Sequence, residues 1–141
     1  MSPPDLHGAD LVSALQRLAE RAGVELGIPV AFYPDTAAAA NDPAQTATEV
    51  VLLRAAQEAL ANVRRHARVN AVEVRLRRSA AGTRLLVVDD GSGFDASAMR
   101  NGYGLAGMRA RVDEAGGQVL LDTAPGAGVR LEVVMPWAIR H

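Results

Sequence analysis

The chain of 141 residues has no cysteine and no lysine. Without cysteine, disulfide frameworks and thiolate metal sites are excluded. Without lysine there is no P-loop lysine, no Schiff-base amine and no lysine general base. A net charge of −1 gives no global field that would draw nucleic acid. No apolar run approaches the roughly 18 residues of a membrane span, and the opening "MSPPDLHGAD" lacks a signal-peptide pattern. These absences predict a cytoplasmic domain that contacts neither nucleic acid nor membrane. What is present, 49% hydrophobic and 22% charged residues, suits one globular domain over residues 1–141 with a real core.

Charge is unevenly placed. Eight arginines (54, 64, 65, 68, 75, 77, 78 and 84) lie within residues 54–84, against Glu58 and Glu73. They read either as solvated faces of a helix and a strand or as a surface turned to a polyanion.

Periodicity lays out the elements. Leu11, Leu15, Leu18 and Ala22 recur at helical spacing over 10–25, with Asp10 as N-cap. "IPVAFYP" (28–34) reads as a strand, and 35–46 as a loop of small residues. A long helix is expected from about Thr48 to about Ala67, with its apolar stripe on Leu52, Ala56, Ala59, Leu60, Val63 and Ala67. "AVEVRLRRS" (71–79) alternates as a half-buried strand should, whereas the continuous run "RLLVVDD" (84–90) predicts a central strand buried on both faces. A glycine-rich loop, a short helix from Leu105 ended by Gly116 and Gly117, and strands at 118–123 and 129–136 complete the chain. Short turns between paired strands make them hairpins. The expected fold class is α+β, a two-layer sandwich with a mixed, mostly antiparallel sheet and helices on one face.

"GYGLAG" (102–107) has G-x-G-x-x-G spacing, with Asp122 twenty positions after Gly102. A dinucleotide fingerprint must leave a strand directly and open a helix within a βαβ unit. Here the preceding strand ends near Asp89, so the Rossmann reading fails and the spacing to Asp122 is coincidence. The physics of the motif remains: glycines let backbone N–H groups approach an anion, and a helix N-terminus adds unpaired donors. Gly107 is expected to serve helix packing.

Three further pieces stand in order around it. "QEALANVRRHA" (57–67) places Glu58, Asn62 and His66 at i, i+4 and i+8, with Arg65 beside them, on an edge opposite the apolar stripe. "DDGSGF" (89–94) sets acid at the end of a buried strand before two glycines. A buried carboxylate needs donors, and the exocyclic amine of a purine would serve. "PGAG" (125–128) supplies a glycine turn before the last strand.

In this order the motifs resemble the ATP-binding catalytic domain of sensor histidine kinases, within the superfamily shared with DNA gyrase, ninety-kilodalton heat-shock chaperones and mismatch-repair ATPases. "QEALANVRRHA", "VVDDGSGFD" and "GYGLAGMRARV" are closest to the short-lid, response-regulator-kinase subfamily. The resemblance covers nearly the whole chain and implies a Bergerat-type fold. It implies ATP and Mg2+ as cofactors, with Asn62 the metal ligand, its amide oxygen on an ion that bridges phosphates. Glu58 would be the catalytic base or water-orienting acid; its plain alternative is a surface glutamate. Arg65 and His66 would flank phosphates, with His66 as a simple surface residue the competing reading. Asp89 would accept the adenine amine, Asp90 would serve a turn, and Gly91 and Gly93 would let the base lie against the backbone. Gly102, Gly104 and Leu105 would form a lid hinge and a phosphate-facing helix start, with Tyr103 inside the lid. Arg109 and Arg111 read as helix-surface residues, or as partners for phosphate or another domain.

One position departs from the pattern. The family usually has threonine after the last glycine turn, and Val129 stands there. The missing hydroxyl would remove a water-linked adenine contact worth about 0.5–1.5 kcal/mol. None of His7, His66 and His141 is placed as a phosphoacceptor. The expectation is therefore a catalytic domain from a longer kinase, monomeric as a fragment within a homodimeric whole. Its partners would be its own dimerisation and phosphoacceptor domain and a response regulator. Two other readings stand beside this one: an anti-sigma-type serine kinase of the same fold, and a nucleotide-binding module without catalysis.

Overall fold

The structure is a computed structural model, and it describes residues 11–35, 43–65, 69–79, 82–91, 105–123 and 126–136. In chain order these form α1 (Leu11–Leu26), β1 (Val30–Tyr33), α2 (Pro43–Arg65), β2 (Val72–Ser79), β3 (Gly82–Asp89), α3 (Leu105–Glu114), β4 (Gln118–Thr123) and β5 (Val129–Pro136). The strands make one sheet in the order β1-β2-β3-β5-β4. β1 runs parallel to β2, because α2 carries the chain back between them. The other three pairings are antiparallel.

Strand alternation explains the two layers. Val72, Val74 and Leu76 of β2, Leu85 and Val87 of β3, Val119 of β4, and Leu131, Val133 and Met135 of β5 are all buried and share one face through the register. Against them pack Leu11, Ala14 and Leu15 of α1, Leu52, Ala56, Ala59 and Val63 of α2, and Leu105, Met108 and Val112 of α3. This is the expected α+β sandwich.

Gly27 ends α1 with φ +70°, its N–H bonded to the Gly23 carbonyl, as a C-terminal glycine cap does. Gly116 ends α3 in the same region, with φ +86°. The N-cap expected at Asp10 lies outside the described residues. α2 begins at Pro43, within the stretch expected to be loop. Proline is well tolerated in a first helical turn, where its missing N–H is no loss.

Two expectations about burial are corrected. β3 is not buried on both faces: Leu86 and Val88 are half-buried and point away from the helices, and Arg84 is exposed. A run of apolar residues does not by itself require a second covering layer. The arginines also divide. Arg75, Arg77 and Arg84 share the open face of the sheet, whereas Arg78 sits on the helix side. There it is nearly buried against Glu49 at 3.0 Å, with its own N–H donated to Asp35 Oδ2 at 2.7 Å. That pair ties the start of α2 to the end of β2.

Candidate nucleotide-binding site

The helix-facing alternation of the sheet continues to its last row. There the register aligns Val72, Asp89, Val129 and Thr123 side by side on β2, β3, β5 and β4. Three of these suit a sandwich core or its margin; Asp89 does not. It is only 7% exposed, so a carboxylate occupies a place that sequence alternation gives to an apolar side chain. Opposite it, α2 brings Asn62, also 7% exposed.

Asn62 and Asp89 line one narrow cleft, open at its mouth and with a cavity volume of about 20 Å³, together with Ala59, Val63, Val87, Leu105, Leu121, Val129 and Leu131. The walls are apolar, with one buried polar group from α2 and one from β3. That is the usual composition of a small-molecule site, in which apolar contact supplies area and a few polar groups set orientation.

Asp89 is held from two sides. Its Oδ1 accepts the Gly91 N–H at 2.8 Å, one of the several bonds that a carboxylate's roughly four lone-pair sites allow. Behind it lies the glycine turn before β5. Gly128 has φ +74°, and a Cβ there would stand 2.5 Å from the Asp89 carbonyl oxygen. The Thr123 hydroxyl donates to the Gly128 carbonyl at 2.8 Å and holds that turn against β4. A Cβ on Gly91 would lie 2.7 Å from Val69 Cγ2 and 3.0 Å from Asp89 Oδ1, so only glycine fits without displacement.

The neighbouring acid has a different task. Asp90 Oδ1 accepts the N–H groups of Asn70 at 2.8 Å and Ala71 at 3.0 Å. These bonds, that from Asn70 foremost, hold its carboxyl below the usual aspartate range. Asp90 thus pins the segment that enters β2, in keeping with a turn residue.

The structure brings together Asn62, Asp89, Leu105 and Val129 at the cleft, with Gly91 directly behind Asp89. Glu58 lies one turn before Asn62 on α2, half-buried and outside the cleft lining. Arg65 is the last residue of α2, and nothing is described of its side chain. His66, Gly93, Gly102, Tyr103 and Gly104 lie outside the described residues, as does the whole of the lid expected over 94–103.

Two sequence expectations are corrected here. Asn62 is not opposite the core stripe but within the buried face of α2, because that helix packs on the sheet and on α3 together. Gly107 is exposed, with only Arg111 Nη1 near a would-be Cβ at 3.4 Å, so it serves no packing contact. Arg109 is exposed on α3, in line with its reading as a helix-surface residue, and its Nη1 donates to the Val119 carbonyl at 3.2 Å. The apolar walls Val87, Leu121 and Leu131 were legible only as core. The cross-strand register, invisible in one strand alone, is what places them beneath the cleft.

This pairing of a mixed five-stranded sheet, three helices on one side and a cleft at the junction of α2, β3, α3 and β5 defines an ATPase fold of the Bergerat type. The family model of the histidine kinase-, DNA gyrase B-, and HSP90-like ATPases matches residues 47–139, and the chain belongs to that family, whose domain binds ATP. Its curated relatives include sensor histidine kinases at 35–38% identity.

Among curated relatives, the sensor histidine kinase MctS of Rhizobium johnstonii is 35% identical over 144 aligned residues, covering 96% of this chain and 30% of that protein. The signal transduction histidine-protein kinase/phosphatase DegS of Brevibacillus brevis is 35% identical over 89 residues, 62% of this chain and 23% of that protein. The chain thus spans less than a third of the length of these relatives. Among solved structures, the histidine kinase domain of the blue-light activated kinase of Erythrobacter litoralis superposes with a TM-score of 0.76 at 21% identity. It covers 97% of this chain and 65% of that one. The ATP-binding domain of PrrB from Mycobacterium tuberculosis gives 0.70 at 23% identity, covering 93% and 96%. These two likenesses bear on the fold. No described helix is long and apolar enough to cross a membrane.

Proposed function

We propose that this domain binds ATP with Mg2+ in the cleft and donates the γ-phosphoryl group to a histidine on a dimerisation domain. From there a response regulator would receive it. The observation that carries the reading is the burial of Asn62 and Asp89 on one apolar cleft. Each is a polar group that a sandwich core would not otherwise place there, and each sits at a motif position of the family.

In this reading Asp89 accepts the adenine amine. Gly91 and Gly128 let backbone approach the base end, and the apolar walls Val87, Leu121 and Leu131 take its faces. Asn62 offers its amide oxygen to Mg2+, which favours few protein ligands and keeps water and phosphate oxygens as the rest. The bound ion would neutralise phosphate charge during transfer. The N-terminus of α3 at Leu105 presents unpaired N–H groups and the positive end of its dipole towards the phosphates. Glu58, one turn from Asn62, would orient or deprotonate the accepting imidazole. Arg65, His66 and the residues Gly93, Gly102, Tyr103 and Gly104 would complete the phosphate side and its lid. The domain would work on the cytoplasmic side.

Phosphoryl transfer depends on positioning and charge stabilisation, so the domain alone should hydrolyse ATP slowly. The test mixes it with the cognate dimerisation domain and labelled ATP. Acid-labile label on histidine, lost with Glu58→Gln or Asn62→Asp, is expected. Label on a serine of a separate protein would replace this reading with the serine-kinase one.

A further inference from the structure

The sheet face turned away from the helices is open among the described residues, and its side chains form a grid fixed by the register. One row reads Ala31, Glu73, Val88, Arg130, Asp122 across β1, β2, β3, β5 and β4; the next reads Tyr33, Arg75, Leu86, Glu132, Leu120. β3 is the middle strand, so its half-buried Leu86 and Val88 run down the centre. The strands flanking it carry opposite charges in each row: Glu73 against Arg130, and Arg75 against Glu132. At the rims stand Tyr33, 45% exposed, and Leu120, 43% exposed.

That pattern is self-complementary. A twofold axis along β3 lays β2 of one chain over β5 of another. Glu73 then meets Arg130 of the copy, Arg75 meets Glu132, Leu86 and Val88 meet themselves, and Tyr33 meets Leu120. The strands stay aligned, as in sandwich packing about 10 Å apart, and the usual offset of about 30° shifts β2 and β5 little because both lie next to the axis. Each contact recurs twice, as an isologous interface requires.

Arg75 already meets Glu73 of its own chain at 3.3 Å and lies 4.4 Å from the Tyr33 ring, so these contacts must be shared with the copy, and a further element opposes the arrangement. In the third row Arg84 would face its own copy. It lies beyond the apolar centre, with a side chain 56% exposed and 3.9 Å from Glu132, so it can turn outward to solvent.

We propose that this face is an interaction surface for a second copy of the same chain, paired through β2, β3 and β5. A uniformly anionic polymer or bilayer suits it poorly, because Glu73, Glu132 and Asp122 share the face with the arginines. Five strands about 4.8 Å apart and three residue rows give on the order of 500 Å² per chain, below the roughly 800 Å² of a standard interface. The pair is therefore weak and reversible in the isolated domain, and it becomes populated when two domains are tethered together. Both nucleotide clefts lie on the far side of the sheet and stay open. The expectation of a monomeric fragment then holds only in dilute solution.

Sedimentation of the chain through the millimolar range tests this, with nucleotide titration and circular dichroism as folding checks. The wild type should self-associate. Glu73→Arg and Arg130→Glu should each weaken self-association by about tenfold or more, since each sets like charges across both symmetry-related contacts. An equal mixture of the two variants should associate again. In the mixed pair one chain brings arginine to both positions and the other brings glutamate to both, so each symmetry-related contact is again of opposite sign. A wild type that stays at one-chain mass overturns the proposal and leaves the face to another occupant. So do single variants that associate like the wild type, or a mixture of folded variants that does not.

Discussion

The glycine turn before β5 offers a quantitative check on how Asp89 is held. Two glycines there share a left-handed backbone, Gly126 at φ +82° and Gly128 at φ +74°, but their surroundings differ. A Cβ on Gly126 meets nothing within 4 Å, whereas one on Gly128 stands 2.5 Å from the Asp89 carbonyl oxygen. Gly126→Ala should therefore cost only the backbone preference, about 1–2 kcal/mol. Gly128→Ala bears the same cost and must also part β5 from β3 by the better part of an ångström. Forced repacking of that kind adds about 1–3 kcal/mol. The colliding atom is backbone, so no side-chain rotation can relieve it.

In thermal unfolding, taking about 3–5 °C per kcal/mol for a chain of this size, the two variants should be separated by several degrees. Because the displaced atom belongs to Asp89, Gly128→Ala should also weaken ATP binding, while Gly126→Ala leaves it unchanged. Equal melting temperatures for the two variants, with equal ATP affinities, would refute the reasoning that Gly128 seats Asp89.

Other perturbations probe separate parts of the account. Val129→Thr restores a hydroxyl beside Asp89 in the same register row; a gain of about 0.5–1.5 kcal/mol means tighter ATP binding by roughly twofold to tenfold by calorimetry. Asp90→Ala removes a carboxylate whose pKa is lowered from 3.8 by the Asn70 and Ala71 N–H groups. A carboxyl with a lowered folded pKa adds stability above its unfolded value, and the addition drains away as pH falls through the folded one. The gap in stability between wild type and Asp90→Ala, measured by denaturant unfolding, should thus be steady near neutral pH and close as pH drops below about 4. Arg78→Ala leaves Glu49 nearly buried without the guanidinium that meets it at 3.0 Å. Breaking such a pair costs about 3–5 kcal/mol, which a denaturant midpoint would register.

Much of the fold was legible because the strands at 118–123 and 129–136 and the helix at 11–26 carry clean periodicities. The faults arose where periodicity says nothing about neighbours. β3 reads as doubly covered because Leu86 and Val88 are apolar, yet no described element packs on their side. Asn62 reads as surface because amides favour water, yet α2 packs on α3 as well as on the sheet, which widens its buried face. For the site, the order of motifs pointed to Asn62, Asp89, Gly91 and Val129 as one group, and the fold gathers them at one end of the sheet. The sequence could not show Thr123 bonding to the Gly128 carbonyl, nor the cleft floor of Leu121 and Leu131. Both depend on the β4–β5 register rather than on any local pattern.

The central claim is that the cleft between Asn62 and Asp89 is where ATP sits. Calorimetric titration of the domain with ATP and Mg2+, beside Asp89→Asn, tests it most directly. The account predicts saturable binding at one site per chain. It also predicts a loss of affinity of about tenfold or more in the variant, as removal of one partner from a buried charged hydrogen bond implies, with the fold kept intact by circular dichroism. No saturable binding, or equal affinity in a folded Asp89→Asn variant, would contradict it.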